Sequence, residues 1–193
     1  EPKRSPGAKL HALRMLAVCW RGEGEAAVAQ KLPQLLPATI ALLPDIVSDV
    51  RSAATDTTEI LLRLCGNRDL APHLDEILKG AKGENDVTQC VRELAETVYA
   101  QQVDSAALAI VMPILVKGLR SRNMRTQRQA ALIAQNLCGL VASAVDVQPI
   151  VPLLEPLLRR VSDEASDPDV RAVASRAHAA LAEVADVDLA GLV

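Results

Sequence analysis

A cluster of basic residues is the part of this sequence best suited to binding chemistry. Five positive charges fall within twelve residues that contain no carboxylate: Lys117, Arg120, Arg122, Arg125 and Arg128. The chain as a whole is mildly acidic, with a net charge of -3. Because guanidinium groups bind phosphate and carboxylate oxygens in pairs, the cluster predicts a surface that faces phosphates or an acidic partner.

Other residues that often perform catalysis occur without a catalytic pattern. The three histidines, His11, His73 and His178, lie far apart and none is followed by Glu, as the iron-binding helical-repeat hydroxylases of deoxyhypusine would require. The sequence has no GxxxxGK[ST], GxSxG or HExxH motif. We therefore predict no enzyme activity, cofactor, metal or small-molecule substrate. His178 is expected to be a partly exposed or hydrogen-bonded helix residue.

The four cysteines are scattered and lack the close spacing of a zinc site or a disulfide framework. We predict that each is a small buried hydrophobic residue within a helix. They are Cys19, Cys65, Cys90 and Cys138.

One short pattern recurs along the chain and indicates the elements that carry the basic cluster. It appears at residues 48–54, 125–131 and 167–174, where Arg51, Arg128 and Arg171 take equivalent places. The first two arginines are 77 residues apart, a distance of two repeats, and the last two are 43 residues apart, a distance of one repeat. This period is typical of HEAT and armadillo helical pairs, which span roughly 40 to 47 residues.

A second pattern repeats at a similar step and predicts the second helix of each pair. Lys79-Gly80 is echoed by Lys117-Gly118, 38 residues later. A proline, Pro33, Pro113 or Pro152, is expected in the first turn of each such helix, where its missing N–H costs least.

The apolar spacing predicts an all-α fold, a HEAT/armadillo-type α-solenoid of about four and a half helical pairs in a right-handed superhelical stack with a continuous core. We expect one domain over residues 1–193, with flexible ends at 1–6 and 186–193 and the beginning of a further helix at Asp188. The predicted first helices are Gly7–Trp20, Ile46–Leu64, Asn85–Ala100, Met124–Ala142 and Pro168–Val184. The predicted second helices are Leu32–Leu43, Ala71–Lys82, Ser105–Arg120 and Val147–Val161.

Stacking of the repeats predicts two charged arrangements. Lys79, Lys82, Arg159 and Arg160 lie near second-helix ends and are expected to extend the basic cluster into a stripe, although cations there also complement helix dipoles. Asp49, Arg51, Asp169 and Arg171 are expected to form a structural ladder between successive repeats, in which Arg128 is the equivalent of the two arginines.

Composition narrows the class of partner. No apolar run approaches the length of a membrane span, so we expect a cytoplasmic protein without membrane contact. With one Trp, one Tyr and no Phe, few rings are present to stack on unpaired bases. Contact with a nucleic-acid backbone is therefore favoured over sequence-specific base recognition.

A resemblance adds a family. Residues 106–119, which end in Val116-Lys117-Gly118-Leu119, followed by residues 128–138, resemble the N-terminal HEAT domain of fungal-type translation elongation factor 3. The HEAT region of the ribosome-bound activator of the amino-acid-starvation kinase is similar too. The resemblance runs from about Gly7 to Val184, is densest from Ser105 to Val184, and includes Asp167–Arg171.

The resemblance implies a ribosome-docking module that contacts ribosomal protein and rRNA. The ATP-binding cassettes of elongation factor 3 have no counterpart in this sequence, and the matching residues are mainly core positions, so no contact residue is carried over.

Two alternatives remain open. One is a general protein-interaction scaffold of importin or phosphatase-subunit type for an acidic or helical partner. The other is a helical-repeat DNA glycosylase, which would need aromatic residues and a catalytic carboxylate near the basic cluster.

Overall fold

The fold is a series of antiparallel helical pairs, as the repeat pattern predicted. The computed structural model describes residues 5–19, 24–83 and 87–190. Its helices are α1 (Pro6–Cys19), α2 (Gly24–Ala29), α3 (Leu32–Ile40), α4 (Ser48–Arg63), α5 (Leu74–Lys82), α6 (Val87–Glu96), α7 (Ser105–Leu119), α8 (Met124–Cys138), α9 (Ala144–Val147), α10 (Val151–Glu164) and α11 (Pro168–Ala190). A 3-10 turn at Ala71–His73 precedes α5.

The first helices of the pairs are α1, α4, α6, α8 and α11, and the second helices are α3, α5, α7 and α10. This arrangement confirms the predicted all-α solenoid. In the described part of the chain, the β-type pairing is limited to one isolated bridge between Val103 and Val141.

Several predicted ends differ from the observed ones. Residues 1–4, 20–23, 84–86 and 191–193, which include Trp20 and half of the predicted flexible ends, lie outside the described residues. The helix predicted to begin at Asp188 is not separate, because α11 continues through Ala190. No Gly or Pro interrupts the sequence between Val184 and Ala190, so nothing in the backbone forces an end there.

Polar caps and prolines set the helix ends. Asp104 Oδ1 accepts a hydrogen bond from Ala107 N at 2.8 Å, and Asp167 Oδ1 accepts one from Asp169 N at 2.8 Å. Such caps stabilise a helix by about 1 kcal/mol. Pro33 and Pro152 lie in first turns as predicted, but Pro113 lies inside α7 because the Asp104 cap starts that helix well before it.

Helix α7 lies at the centre of the packing. It is apolar around its whole circumference, and ten of its fifteen residues are buried. It packs against α3, α5, α6, α8, α9 and α10. A helix that is hydrophobic on all sides requires such complete enclosure.

The core has a large part around α7 and a smaller part near the beginning of the chain, and the two parts meet at Ile40. The main cluster reaches from Val28 to Leu181 around α7. A smaller cluster holds α1 against α4 and contains Leu13, Leu43, Val50, Ala54 and Ala81. Ile40 packs against both clusters. Around this junction α3 packs directly on α7, while α4 packs chiefly on α1 and α3.

The repeated glycines permit the close approach of neighbouring repeats. A Cβ placed on Gly118 would lie 2.8 Å from Ala130 Cβ and 3.1 Å from Val91 Cγ2. A Cβ on Gly80 would lie 2.7 Å from Ile114 Cδ1, the free end of a side chain that can rotate. The echoed Lys-Gly pairs thus mark the sites where second helices meet the next repeat.

The two ends of the pairs are joined differently. Where first helices turn into second helices, neighbouring loops are bonded together: Asp69 Oδ2 accepts from Ala100 N and from Gln101 N, each at 2.8 Å. One repeat further, Ser105 N donates to Asp146 Oδ1 at 3.0 Å. This edge is held by polar contacts between repeats, and the basic cluster lies on the opposite edge.

The cysteines fall into two groups, which corrects the prediction that all are buried in helices. Cys90 and Cys138 are buried, and burial raises the pKa of their thiols to about 12 and about 11. Cys19 is exposed at the end of α1, and Cys65 is half-buried in the loop after α4.

We expect Gly118→Ala to destabilise the fold by about 1 to 2 kcal/mol, since overpacking against Ala130 and Val91 outweighs the helix propensity that alanine adds. Urea unfolding measures the change. Gly139→Ala is the matched control and should be close to neutral, since within 4 Å a Cβ there would meet only Asn136 O at 3.6 Å and Gln135 O at 3.7 Å, which are ordinary contact distances. Equal stability of Gly118→Ala and the parent chain would refute the close-approach role.

We expect Asp69→Asn to lower the melting temperature at pH 7 and to matter less in acid. The amides of Gln101 and Ala100 stabilise the carboxylate and hold the pKa of Asp69 below its ordinary value. Its contribution is therefore complete above the unfolded-state pKa, about 3.9, and is lost as the pH falls through the folded-state value.

Thermal unfolding of both chains at neutral pH and at a pH below the folded-state pKa of Asp69 measures this convergence. Asp163→Asn is the control, because Asp163 is exposed and makes no hydrogen bond or ion pair within the described residues. A stability difference that stays constant with pH would contradict the role of the charged Asp69.

We expect a thiol reagent at pH 8 to label Cys19 rapidly in the native protein and to label Cys90 and Cys138 only as the chain unfolds. The buried thiols are inaccessible and, with raised pKa values, almost fully protonated. Mass spectrometry of the labelled peptides with and without urea makes the comparison. Fast native labelling of Cys138 would show that the main core opens readily.

Candidate docking surface

The basic cluster lies at the turn from α7 into α8, on the edge where second helices lead into first helices. The carboxyl end of α7 supplies Lys117, the turn supplies Arg120 and Arg122, and α8 supplies Arg125 and Arg128. Asn123 begins α8, and its Oδ1 accepts from Arg125 N at 2.9 Å and from Thr126 N at 3.3 Å. This cap fixes the backbone between the two groups of arginines.

Lys117 has a structural contact and not a free charge. Its Nζ donates to Gly80 O at 2.6 Å and to Ala81 O at 2.8 Å. The side chain thereby caps the last carbonyls of α5 in the preceding repeat. Burial lowers the pKa of its ammonium group.

Arg128 is also paired. Its Nε donates to Asp169 Oδ2, which joins α8 to α11 across a repeat boundary. Both side chains are largely exposed, so the pair contributes at most about 1 kcal/mol. The Arg128–Asp169 pair is the kind of contact between successive repeats that the repeat pattern predicted for this position.

The other two ladder arginines bond within their own repeats, which corrects the placement expected from sequence. Arg51 Nη1 donates to Asp45 O at 2.8 Å and to Ile46 O at 3.0 Å. Arg171 Nη1 donates in the same pattern to Ala165 O at 2.6 Å and to Ser166 O at 3.1 Å. Each side chain reaches back to carbonyls five and six residues earlier and closes the loop before its helix.

Asp49 does not meet an arginine of the next repeat either. It lines a cleft of about 320 Å³ between α1 and α4, together with Arg14 and Asp56. The four-residue ladder is therefore not formed as a set, and Arg128–Asp169 is the pair from this group that crosses a repeat boundary.

Three residues of the cluster remain available to a partner. Arg120, Arg122 and Arg125 are exposed and make no side-chain hydrogen bond or ion pair within the described residues. We call these three residues the arginine patch. Arg122 and Arg125 lie at the beginning of α8, where the helix dipole disfavours cations, whereas Arg120 is the C-cap of α7, where a cation is favoured.

The predicted basic stripe is interrupted by ion pairs. Lys79 Nζ lies 2.6 Å from Glu76 Oε1, and Arg159 Nε lies 3.4 Å from Glu155 Oε1, each pair within one helix. His178 Nε2 also lies 3.2 Å from Glu155 Oε1, which confirms the hydrogen-bonded histidine expected at that position. Of the basic cluster and its predicted extension, the arginine patch therefore carries the exposed charges that have no side-chain partner within the described residues.

Arg160 joins the patch from the next repeat. Its Nη2 donates to Leu119 O at 3.2 Å, so it caps α7 much as Lys117 caps α5. A groove of about 350 Å³ separates it from the α7–α8 turn, and we call this the arginine groove. Its lining consists of Arg120, Arg122, Met124, Gln127, Arg160, Val161, Glu164, Ala165 and Ser166.

Sequence reasoning placed Arg160 in the stripe but did not identify the groove. The position of Arg160 in its repeat, about one period after Lys117, was the signal that predicted its place near the basic cluster. Glu164, Gln127 and Ser166 carried no such signal, because only the packing of α10 beside the turn brings them to the groove.

Two other classes of site are absent from the described residues. No three His, Cys, Asp or Glu side chains there come together in a way that would hold a metal ion. Within the same residues, each helix is too short or too polar to cross a bilayer.

Comparison with known proteins identifies the family. The family model described as "Elongation factor 3/GNC1 HEAT repeat" matches residues 85–191. Elongation factor 3 of Phytophthora infestans is 32% identical over 154 residues, which cover 80% of this chain and 15% of the relative.

Two further relatives show the same extent of similarity. Elongation factor 3 of Pneumocystis carinii is 27% identical over a region that covers 93% of this chain and 17% of the relative. The mRNA export factor elf1 of Schizosaccharomyces pombe is 29% identical over a region that covers 88% of this chain and 16% of the relative. The chain thus spans about one sixth of the length of these curated relatives. Since the family model covers more than half of the sequence and the described residues form stacked helical pairs, the chain belongs to the elongation factor 3/GNC1 HEAT-repeat family.

Proposed function

We propose that the chain is a non-catalytic docking module of the translation apparatus, which attaches to the ribosome through the arginine patch. Relatives named elongation factor 3 connect the family with translation. The matched family is a helical repeat, an architecture that presents extended binding surfaces. A role in translation elongation places the module in the cytoplasm.

The observation that carries the proposal is the set of three unpaired arginines at one turn. Other arginines near the starts of first helices bond to carbonyls, as Arg51 and Arg171 do, or to a carboxylate, as Arg128 does. Exposed charges without internal partners add nothing to the packing, and those in the first turn of α8 oppose its dipole. Binding of an anionic surface supplies the stabilisation that the fold itself does not.

A second candidate is a scaffold for a protein partner outside translation. The similarity to an mRNA export factor favours it, because the same repeat region occurs in a protein that is not named for elongation. A general scaffold would bind an acidic or helical partner and would be indifferent to ribosomes. The two functions are therefore separated by a single binding measurement.

We expect the purified chain to co-sediment with ribosomes in a saturable manner that weakens steeply as salt is raised, since released counterions drive such binding. Reversal of the patch in Arg120→Glu/Arg122→Glu/Arg125→Glu should reduce the affinity at least about tenfold. Circular dichroism checks that the variant keeps its helices.

The matched control reverses three other exposed cations, in Lys31→Glu/Arg92→Glu/Arg176→Glu. None of these side chains makes a hydrogen bond or ion pair in the described part of the chain, so the control changes net charge equally. Ribosome binding that survives the patch reversal would exclude the arginine patch as the contact surface and leave ribosome docking in place. Absence of binding at low salt would discard ribosome docking and favour the protein scaffold.

A further inference from the structure

The arginine groove differs from an ordinary charged surface because it is concave and is formed by two repeats. Arg120 and Arg122 line it from the α7–α8 turn, and Arg160 lines it from α10. We propose that this groove binds the phosphodiester backbone of RNA, so that RNA and not an acidic protein surface is the ligand of the arginine patch. The inference rests on the proposed docking function and names the chemistry of its partner.

Rigid positioning supports the assignment. The Arg160 guanidinium donates one hydrogen bond to Leu119 O, which fixes its place beside the turn. Arginine carries five N–H donors, so the remaining ones can still reach a ligand. On the same floor, Gln127 Nε2 lies 3.4 Å from Leu119 O. Both donors thus reach the same carbonyl at the end of α7, which ties α10 and α8 to one wall of the groove.

The rim of the groove is fixed as well. Ser166 Oγ lies 3.4 Å from Met124 Sδ and so joins the loop before α11 to the start of α8. Arg171 holds the same loop through Ala165 O and Ser166 O. The Ser166–Met124 contact joins the loop before α11 to α8, and the Arg171 contacts hold that loop within its own repeat. The rim formed by Met124, Ala165 and Ser166 is thus held by the protein itself.

The residue types favour phosphate. The planar fork of arginine matches the paired oxygens of a phosphate group. No aromatic side chain lines the groove, so bases have no surface on which to stack. The arrangement suits sequence-independent contact with the backbone.

The same residues argue against a protein surface as the ligand. Stable protein interfaces centre on buried apolar or aromatic anchors inside a polar rim. Among the large exposed hydrophobic side chains of the described residues, only Met124 lines this groove, and it is 42% exposed. A charged groove without an apolar centre fits a polyanion better.

One carboxylate provides a test in the opposite direction. Glu164 lines the groove from α10, four residues after Arg160, and its side chain makes no hydrogen bond or ion pair within the described residues. Its charge repels phosphate, so its removal should strengthen RNA binding. Asp163 precedes it on α10 but is not among the lining residues, and therefore supplies a matched control.

The experiment measures binding of the chain to a short fluorescent single-stranded RNA by anisotropy, from about 50 mM to about 200 mM salt. Arg120→Gln/Arg122→Gln should bind about tenfold more weakly. It should also lower the slope of log affinity against log salt by about 1.4, since each phosphate contact with single-stranded RNA contributes about 0.7. The control Arg92→Gln/Arg176→Gln removes two exposed charges elsewhere and should change neither quantity appreciably.

Glu164→Gln should tighten binding about threefold, while Asp163→Asn should have a smaller effect. Opposite shifts from the arginine and glutamate variants support the groove, because a general loss of folding would weaken binding in both. RNA binding that is absent at low salt, or that responds to neither variant, would overturn the inference.

Parallel co-sedimentation with ribosomes separates the two proposals. Ribosome binding that depends on the arginine patch, with no binding of free RNA, overturns the RNA assignment and identifies an acidic protein surface while the docking function stands. RNA binding through the groove without ribosome binding supports the RNA assignment and overturns ribosome docking.

Discussion

The enclosure of α7 is the constraint on which the rest of the structure depends. Its buried residues face every direction. The burial of each large apolar side chain on folding stabilises the protein by about 1.5 to 3 kcal/mol. Neighbouring repeats must therefore approach α7 on all sides. Gly118 permits this at the α8 side, where any side chain would collide with Ala130. The direct packing of α3 on α7 follows from the same need, because the short α5 cannot cover that face alone.

Close packing of the second helices decides the role of several cations. The carboxyl ends of α5 and α7 expose carbonyls that need donors. Lys117 supplies them to Gly80 and Ala81, and Arg160 supplies one to Leu119. In each case the donor comes from the following second helix, so the same type of side-chain cap joins the repeats at two successive boundaries. These contacts divide the basic residues into those that hold repeats together and those that remain exposed.

The repeat period and the helix order could be predicted because they depend on local patterns. Apolar spacing, the Asp104 and Asp167 caps and the echoed Lys-Gly pairs all act within a few residues. The role of Lys117 could not be predicted, because its partners lie 37 and 36 residues earlier and depend on how deeply the helices interlock. Arg51 and Arg171 show the reverse case: their contacts are local, yet a side chain at an equivalent position, Arg128, reaches the next repeat.

Comparison of equivalent helices shows where the sequence departs from what the fold requires. The first turns of α4 and α11 contain Asp49 and Asp169, as the helix dipole favours, and each is followed two residues later by an arginine that closes the preceding loop. The first turn of α8 has no acidic residue and begins instead with Arg125 beside Arg122. Natural sequences usually agree locally with their fold, and departures concentrate at functional sites. The turn between α7 and α8 is such a departure. The same turn borders the arginine groove, so the position where helix stability is reduced is also the position where an anion would restore it.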